Sequence, residues 1–453
     1  FEILDRDSMD ADAYIRNFLG IKRLIDQGQV RECKEKLEQL EAFGIYHPYE
    51  DVEMLRVLYT LMEQAKEELP ETMTLEETAG GKEAVRLIEA LLEKYEEDCY
   101  IKLHCGVAKW TLGQKEEANQ LWEQILIHQP SHYMAKFYTI RYLMEKEEYK
   151  QAKERMLELL DMDANDEQVI EYLHTANDAL IKEYETKLNE EGEESERFEN
   201  AMELARCFYQ NDKPEDAVPL LDGLVPDEKQ EYDYVNLFGR ILYRADEYEK
   251  ACPNLKRWLE LIRQTPEEDE EYENRKNREF RACHILSGCC HEMGDRKQAM
   301  KYVEEAIRVA LNQEDTVSAM QYKAYMLFTY EEYENCVDVC DQVIRLNERY
   351  FPAYLQRQEA AFKLKRGQQV VDDYYNAINI YNGYYKPYLL AAETFFYHDQ
   401  YEDAKGVLER ARENEIEFSD NMKLYEVKIL RNLAEKREDR EKPFAIAKEL
   451  LCQ

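Results

Sequence analysis

The chain has 453 residues, and its 97 acidic against 60 basic side chains give a formal net charge of −37. That charge repels phosphate backbones and anionic membrane surfaces, so neither nucleic acid nor a membrane is an expected partner. Hydrophobic residues make up 44%, enough for a continuous core, whereas 15 Gly and 11 Pro supply too few turns for an all-β protein.

In chain order, Phe1 rather than Met opens the sequence, which suggests a piece of a longer protein. From Tyr14 to Ile45 the pattern of Leu24, Cys33, Leu37 and Leu40 reads as a degenerate helical hairpin. Pro70, Thr72, Thr74, Gly80 and Gly81 then mark Glu68 to Gly81 as a long loop, closing an N-terminal region at 1–82. Residues 83–164 hold regular hairpins, and 165–197, with the acidic Glu190 to Glu196, is expected to be a degenerate pair of long helices. Regular hairpins resume over 198–416, interrupted near 263–279 by a stretch that is inserted or extends two helices. The segment 417–453 reads as capping helices, at Met422 to Leu433 and Phe444 to Leu451.

What marks the hairpins is a spacing. Ala84, Ala118 and Ala152, then Ala217 and Ala251, then Cys336, Val370 and Ala404 recur at 34-residue intervals, each at the start of an amphipathic helix. Such a period means stacked helical hairpins rather than one closed globule. A second small residue precedes many of these by 12 positions: Gly106/Ala118, Ala205/Ala217, Gly239/Ala251, Ser287/Ala299, Ala324/Cys336 and Ala392/Ala404. Two helices can cross closely only where neither presents a bulky side chain. The turn repeats too, with Tyr149, Tyr248, Tyr333 and Tyr401 each three residues before the small position, and Gly serving at two turns.

These small and aromatic positions resemble the tetratricopeptide repeat (TPR) family from Ala84 to Ala411. Gln358 and Val370 depart from the small pair, and Lys109 stands where an aromatic is usual. The resemblance implies an all-α protein: a right-handed α-solenoid of about ten stacked helix-turn-helix repeats, whose first helices line a concave groove. More loosely, the chain resembles the repeat region of bacterial proteins that join a J domain to TPR-like repeats. His47-Pro48-Tyr49 is not the His-Pro-Asp motif of a J domain.

Candidate chemistry is sparse. Cys283, His284, Cys289, Cys290 and His291 form a metal-like cluster, but residues seven apart cannot share one tetrahedral zinc without ligands from elsewhere. Core packing is the better reading for these cysteines, as it is for Cys336 and Cys340. No cofactor or metal is expected. The 11 Cys have no paired framework, which suits reduced thiols in a cytoplasmic protein. No phosphate-cradling loop, nucleophile elbow or zinc-protease motif is present, so no enzyme activity is expected.

Binding is the expected role. Trp110, Tyr209, Tyr243, Phe328, Phe362 and Phe396 fall at the end of successive first helices, and in TPR-like geometry this row borders the groove. His284 and His291 share a helix face that could join it. Lys22, Arg141, Arg206 and Arg240 are scattered along first helices and do not form the basic clamp by which some TPR proteins hold acidic tails. The expected function is a non-enzymatic scaffold that binds a peptide or helix of another protein, and a basic partner would complement the charge. The alternatives are the client-binding or positioning arm of a J-domain-type co-chaperone, or the regulatory tail of an enzyme domain outside this chain.

Overall fold

The computed structural model describes residues 20–27, 29, 31–36, 50–67, 69, 73–190, 193–264 and 269–437. Tyr14, Leu37, Leu40, Ile45, His47, Pro70, Thr72, Phe444 and Leu451 lie outside them. The described residues are helical throughout, apart from turns and one short 3₁₀ segment, Leu75–Glu77, and no strand occurs among them. The chain divides into two compact units, Phe1–Lys213 and Pro214–Gln453.

The first unit opens with helical stretches at 20–26 and 31–36. It continues with α1 (Glu50–Glu67), α2 (Ala79–Lys94), α3 (Cys99–Leu112), α4 (Lys115–His128), α5 (Tyr133–Glu145), α6 (Tyr149–Met162), α7 (Glu167–Asn189) and α8 (Glu194–Gln210). The second holds α9 (Pro214–Leu221), α10 (Glu231–Arg244), α11 (Tyr248–Gln264), α12 (Asp269–Glu292), α13 (Arg296–Val309), α14 (Gln313–Thr329) and α15 (Tyr333–Leu346). It ends with α16 (Phe351–Lys363), α17 (Gly367–Ile380), α18 (Tyr385–Tyr397), α19 (Tyr401–Glu413) and α20 (Asp420–Arg437). Within each unit every helix packs on the next. First helices also touch the first helix of the following hairpin, as α16 does α18 and α18 does α20. Each unit is therefore an all-α stack of hairpins.

The small positions do the work expected of them. All eight residues of the 34-residue series are fully buried or nearly so. A Cβ added to Gly106 would stand 2.3 Å from Trp122 Nε1, and one on Gly239 would stand 2.9 Å from the Leu255 side chain. Trp122 and Leu255 are the residues four positions after Ala118 and Ala251, so the first helix leaves a hole and the second fills it.

The turns share one geometry. The residue two positions before the second helix adopts left-handed backbone: Gly113 and Gly294, but also Glu147, Asp246, Glu331, Lys365 and Asp399. The next amide then bonds back to the first helix, as Glu247 N to Leu242 O at 2.9 Å and Glu332 N to Leu327 O at 2.8 Å. This is the Schellman closure of a helix C-terminus, and Glu147, Asp246, Glu331, Lys365 and Asp399 make it without the glycine that would remove its steric cost.

Gly80 and Gly81 belong to the first turn of α2 rather than to the loop. Gly81 is there because a Cβ would meet Leu75 O at 2.0 Å. Thr78 caps the helix by accepting from Gly81 N at 2.9 Å. The 165–197 stretch is filled by the 23-residue α7 and the first residues of α8, which runs on to Gln210. Ala205 and Ala217 fall in different units. Near 263–279 it is helix extension that is seen, giving α12 its 24 residues.

At the exceptional hairpin, Gln358 is fully buried, and its Nε2 donates to Val370 O at 3.2 Å and Pro387 O at 3.1 Å. The side chain that breaks the small-residue rule thereby ties three helices together.

Two stability changes follow. Gly106→Val should cost about 1–3 kcal/mol by overpacking against Trp122. Glu331→Gly should gain about 0.5–1 kcal/mol by relieving the left-handed turn. Thermal or urea melts of both variants check the opposite signs.

Candidate interaction surface

In the second unit α12 carries His284, Gly288 and His291 at helical spacing, so all three share a face. Gly288 lets α10 in: a Cβ there would stand 2.6 Å from the Tyr243 hydroxyl. From the other side α14 brings Tyr322 and Tyr325, stacked with centroids 5.9 Å apart. His284 meets Tyr322 edge-on at 5.3 Å and lies over Phe280 at 5.7 Å. His291 meets Tyr325 at 5.7 Å, and its Nδ1 is 2.8 Å from the Tyr330 hydroxyl. Tyr325 is 46% exposed, so the cluster reaches solvent.

The electrostatics favour neutral groups. Burial pulls the His284 pKa below its ordinary 6.5, against an opposing pull from Asp315, and its Nε2 is buried with no hydrogen-bond partner. Burial likewise pushes the Tyr322 phenol above its usual range. The surface offers ring faces and hydrogen-bonding edges, which suits binding another side chain.

The row expected to wall the groove behaves differently along its length. Tyr243 packs on Gly288, which lies between His284 and His291 on α12. Several others pack on the residue that opens the next helix. Phe328 meets Tyr333 at 5.3 Å and Phe396 meets Tyr401 at 5.6 Å, and Tyr243 also meets Tyr248 at 5.8 Å. Trp110 leans on Trp122 at 5.7 Å, with Lys115 and Arg141 over its ring. Tyr209 is half-buried in the last turn of α8, and Phe362 is half-buried five residues before Gly367, where a Cβ would stand 2.9 Å from His398 Cε1. Tyr322, Tyr325 and Tyr330 were not singled out from the sequence. Two tyrosines three apart on one first helix were the available signal.

Cys283, Cys289, Cys290, Cys336 and Cys340 are buried, as core packing requires. Among the described residues no group of three or more His, Cys, Asp or Glu is placed to hold a metal ion. The basic residues near 275–281 are engaged within the fold: Lys276 and Arg263 both bond Glu279, and Arg278 lies over Tyr232. In the first unit Asp26, His104 and Tyr59 form a chain, with His104 Nε2 3.0 Å from Asp26 and Nδ1 2.9 Å from Tyr59. His104 is only 6% exposed, and burial raises the Tyr59 pKa, so this is an internal polar tie and not a nucleophile.

No family model matches the chain, and no curated protein matches it in sequence. Solved structures similar to it include yeast Tom70, at 12% identity over 87% of this chain and 91% of that one, with a TM-score of 0.30. The P58(IPK) TPR domain has 13% identity over 84% and 99% of the two chains, with a TM-score of 0.26. YrrB, described as a TPR protein with an unusual peptide-binding site, has 15% identity over 51% and 96%, with a TM-score of 0.23. Similarity this distant leaves the function to be argued from this chain's own residues. No helix among the described residues is long and apolar enough to cross a membrane.

The depressed His284 pKa has a pH signature. The imidazole is neutral in the fold and takes up its proton at lower pH than the unfolded chain does. Its contribution to stability is complete above the ordinary value of 6.5 and is lost as pH falls through the folded-state value. Part of the drop in melting temperature between about pH 7.5 and about pH 5.5 should therefore vanish in His284→Phe. An identical drop in that variant would remove His284 as its source.

Proposed function

We propose that the chain is a non-enzymatic protein–protein interaction scaffold, which holds an extended segment or helix of another protein against the first helices of its second unit. The observation that carries this reading is the cluster of His284, His291, Tyr322 and Tyr325. It is aromatic, is open at Tyr325, and is built on packed helices rather than loops. Aromatic anchors held rigidly lose little entropy on binding and dominate interface energetics. Nine of the ten described free cysteines are buried, which fits a cytoplasmic setting where thiols stay reduced.

The test is affinity capture from host lysate, followed by calorimetric titration of the captured protein against wild type and a Tyr322→Ala/Tyr325→Ala double variant. Loss of two anchors should weaken binding by about 2 kcal/mol or more, with the melting transition retained. Equal affinity for both would sink the groove assignment. Repeating the titration at high salt reads the partner's charge, since a basic partner held by the −37 chain would be weakened there.

A further inference from the structure

Two buried cysteines meet between helices in the second unit. Cys252 on α11 follows the small position Ala251, and Cys290 on α12 lies three residues after the small position Ser287. The two helices pack on each other, and the thiols are hydrogen-bonded, with Cys290 donating to Cys252 Sγ. One turn further along α11, Lys256 also donates to Cys252 Sγ. In a chain with 97 acidic residues, this lysine makes no ion pair with a carboxylate among the described residues; its ammonium is directed at a sulfur instead.

The arrangement divides one proton unequally. The hydrogen bond from Cys290 holds the Cys252 thiol below its ordinary value, and the charge of Lys256 adds to this against the opposing effects of burial and Asp295. The same bond pushes the Cys290 thiol up. The negative charge therefore sits on Cys252 and the proton on Cys290. By contrast, burial pushes Cys105, Cys283 and Cys289 up to about 12. Cys252 is buried but lies just beneath the surface, beside the exposed Pro253 and one turn from the exposed Lys256. A thiolate held by a cation, with a second thiol in contact, is the arrangement that reacts with oxidants; a thiol that only fills space is inert.

We propose that Cys252 is a modification site for hydroperoxides, with Cys290 as the second thiol that converts its oxidised form to a disulfide between α11 and α12. The Cys252 sulfur attacks one peroxide oxygen and the O–O bond breaks. The departing oxygen takes a proton from the Lys256 ammonium, which solvent restores. Sulfur is thereby oxidised by two electrons to a sulfenic acid, and the peroxide is reduced by two. The Cys290 sulfur then attacks the Cys252 sulfur, the S–O bond breaks, and hydroxide leaves with the Cys290 proton as water. In sum, two thiols and one hydroperoxide give one disulfide, one alcohol and one water, the alcohol being a second water when the oxidant is hydrogen peroxide. In a compartment that keeps thiols reduced, such a bond is transient and its presence reports oxidant.

The experiment is exposure of the full native chain to hydrogen peroxide, with and without the sulfenic-acid trap dimedone, followed by peptide mass mapping over time. A cross-linked peptide pair joining Cys252 to Cys290 and opened by dithiothreitol is expected, with Cys252 oxidised roughly tenfold or more faster than Cys283 and Cys289. In Cys290→Ser the sulfenic acid has no resolving thiol, so Cys252 should accumulate dimedone. Lys256→Gln should slow oxidation of Cys252 several-fold. The preference for Cys252 should vanish in urea, which separates the two helices. Oxidation of Cys252 no faster than that of Cys283 in the native chain, a disulfide from Cys252 to Cys289 instead of Cys290, or a preference that persists in urea overturns the proposal. If Cys290→Ser does not fold, the cross-link and the relative rates in the unaltered chain decide the matter.

Discussion

The structure depends on one close approach: a first helix that omits a side chain where the second helix inserts one. Gly106 under Trp122 and Gly239 under Leu255 show it at van der Waals limits. Because the contact is steric, it fixes the offset between the two helices, and a fixed offset repeated along the chain is what makes a stack. Apolar neighbours at helical spacing then bury against it, as Ile125 and Ala135 do around Trp122.

The turn is the second constraint, and it is satisfied at some expense. Glu331 and Asp399 accept left-handed backbone where glycine would carry no steric cost. The tolerance has a physical reason. The Schellman bond and the ring pair that follows it hold the turn shut, so the local cost is offset by packing next to it. At the α16–α17 turn, where no tyrosine opens the second helix, Lys365 still keeps the left-handed backbone and the His398 ring stands against Gly367.

Polar contacts replace the small pair at one hairpin. Arg357 donates to the fully buried Asp373 and also bonds Asp341, joining α15, α16 and α17. Gln358, next to it in sequence, bonds backbone carbonyls of α17 and α18. A buried ion pair with little net worth in stability still penalises any register that separates its members. These contacts specify the one hairpin in which the small-residue pair does not.

The sequence by itself determined the all-α repeat, the small pairs, the turn positions and the burial of the cysteines. All of these follow from spacing along one helix or between the two helices of one hairpin, and such spacing is visible in one dimension. It also marked Tyr243 in its aromatic row, and His284 and His291 as a face that could join that row. The tertiary structure decided which aromatics meet between hairpins, bringing Tyr322 and Tyr325 to His284 and His291. It also decided that His398 of the next hairpin stands against Gly367. Those outcomes depend on how far apart successive hairpins stand. That distance is set by volumes contributed from three helices at once, and no periodicity in the chain records it.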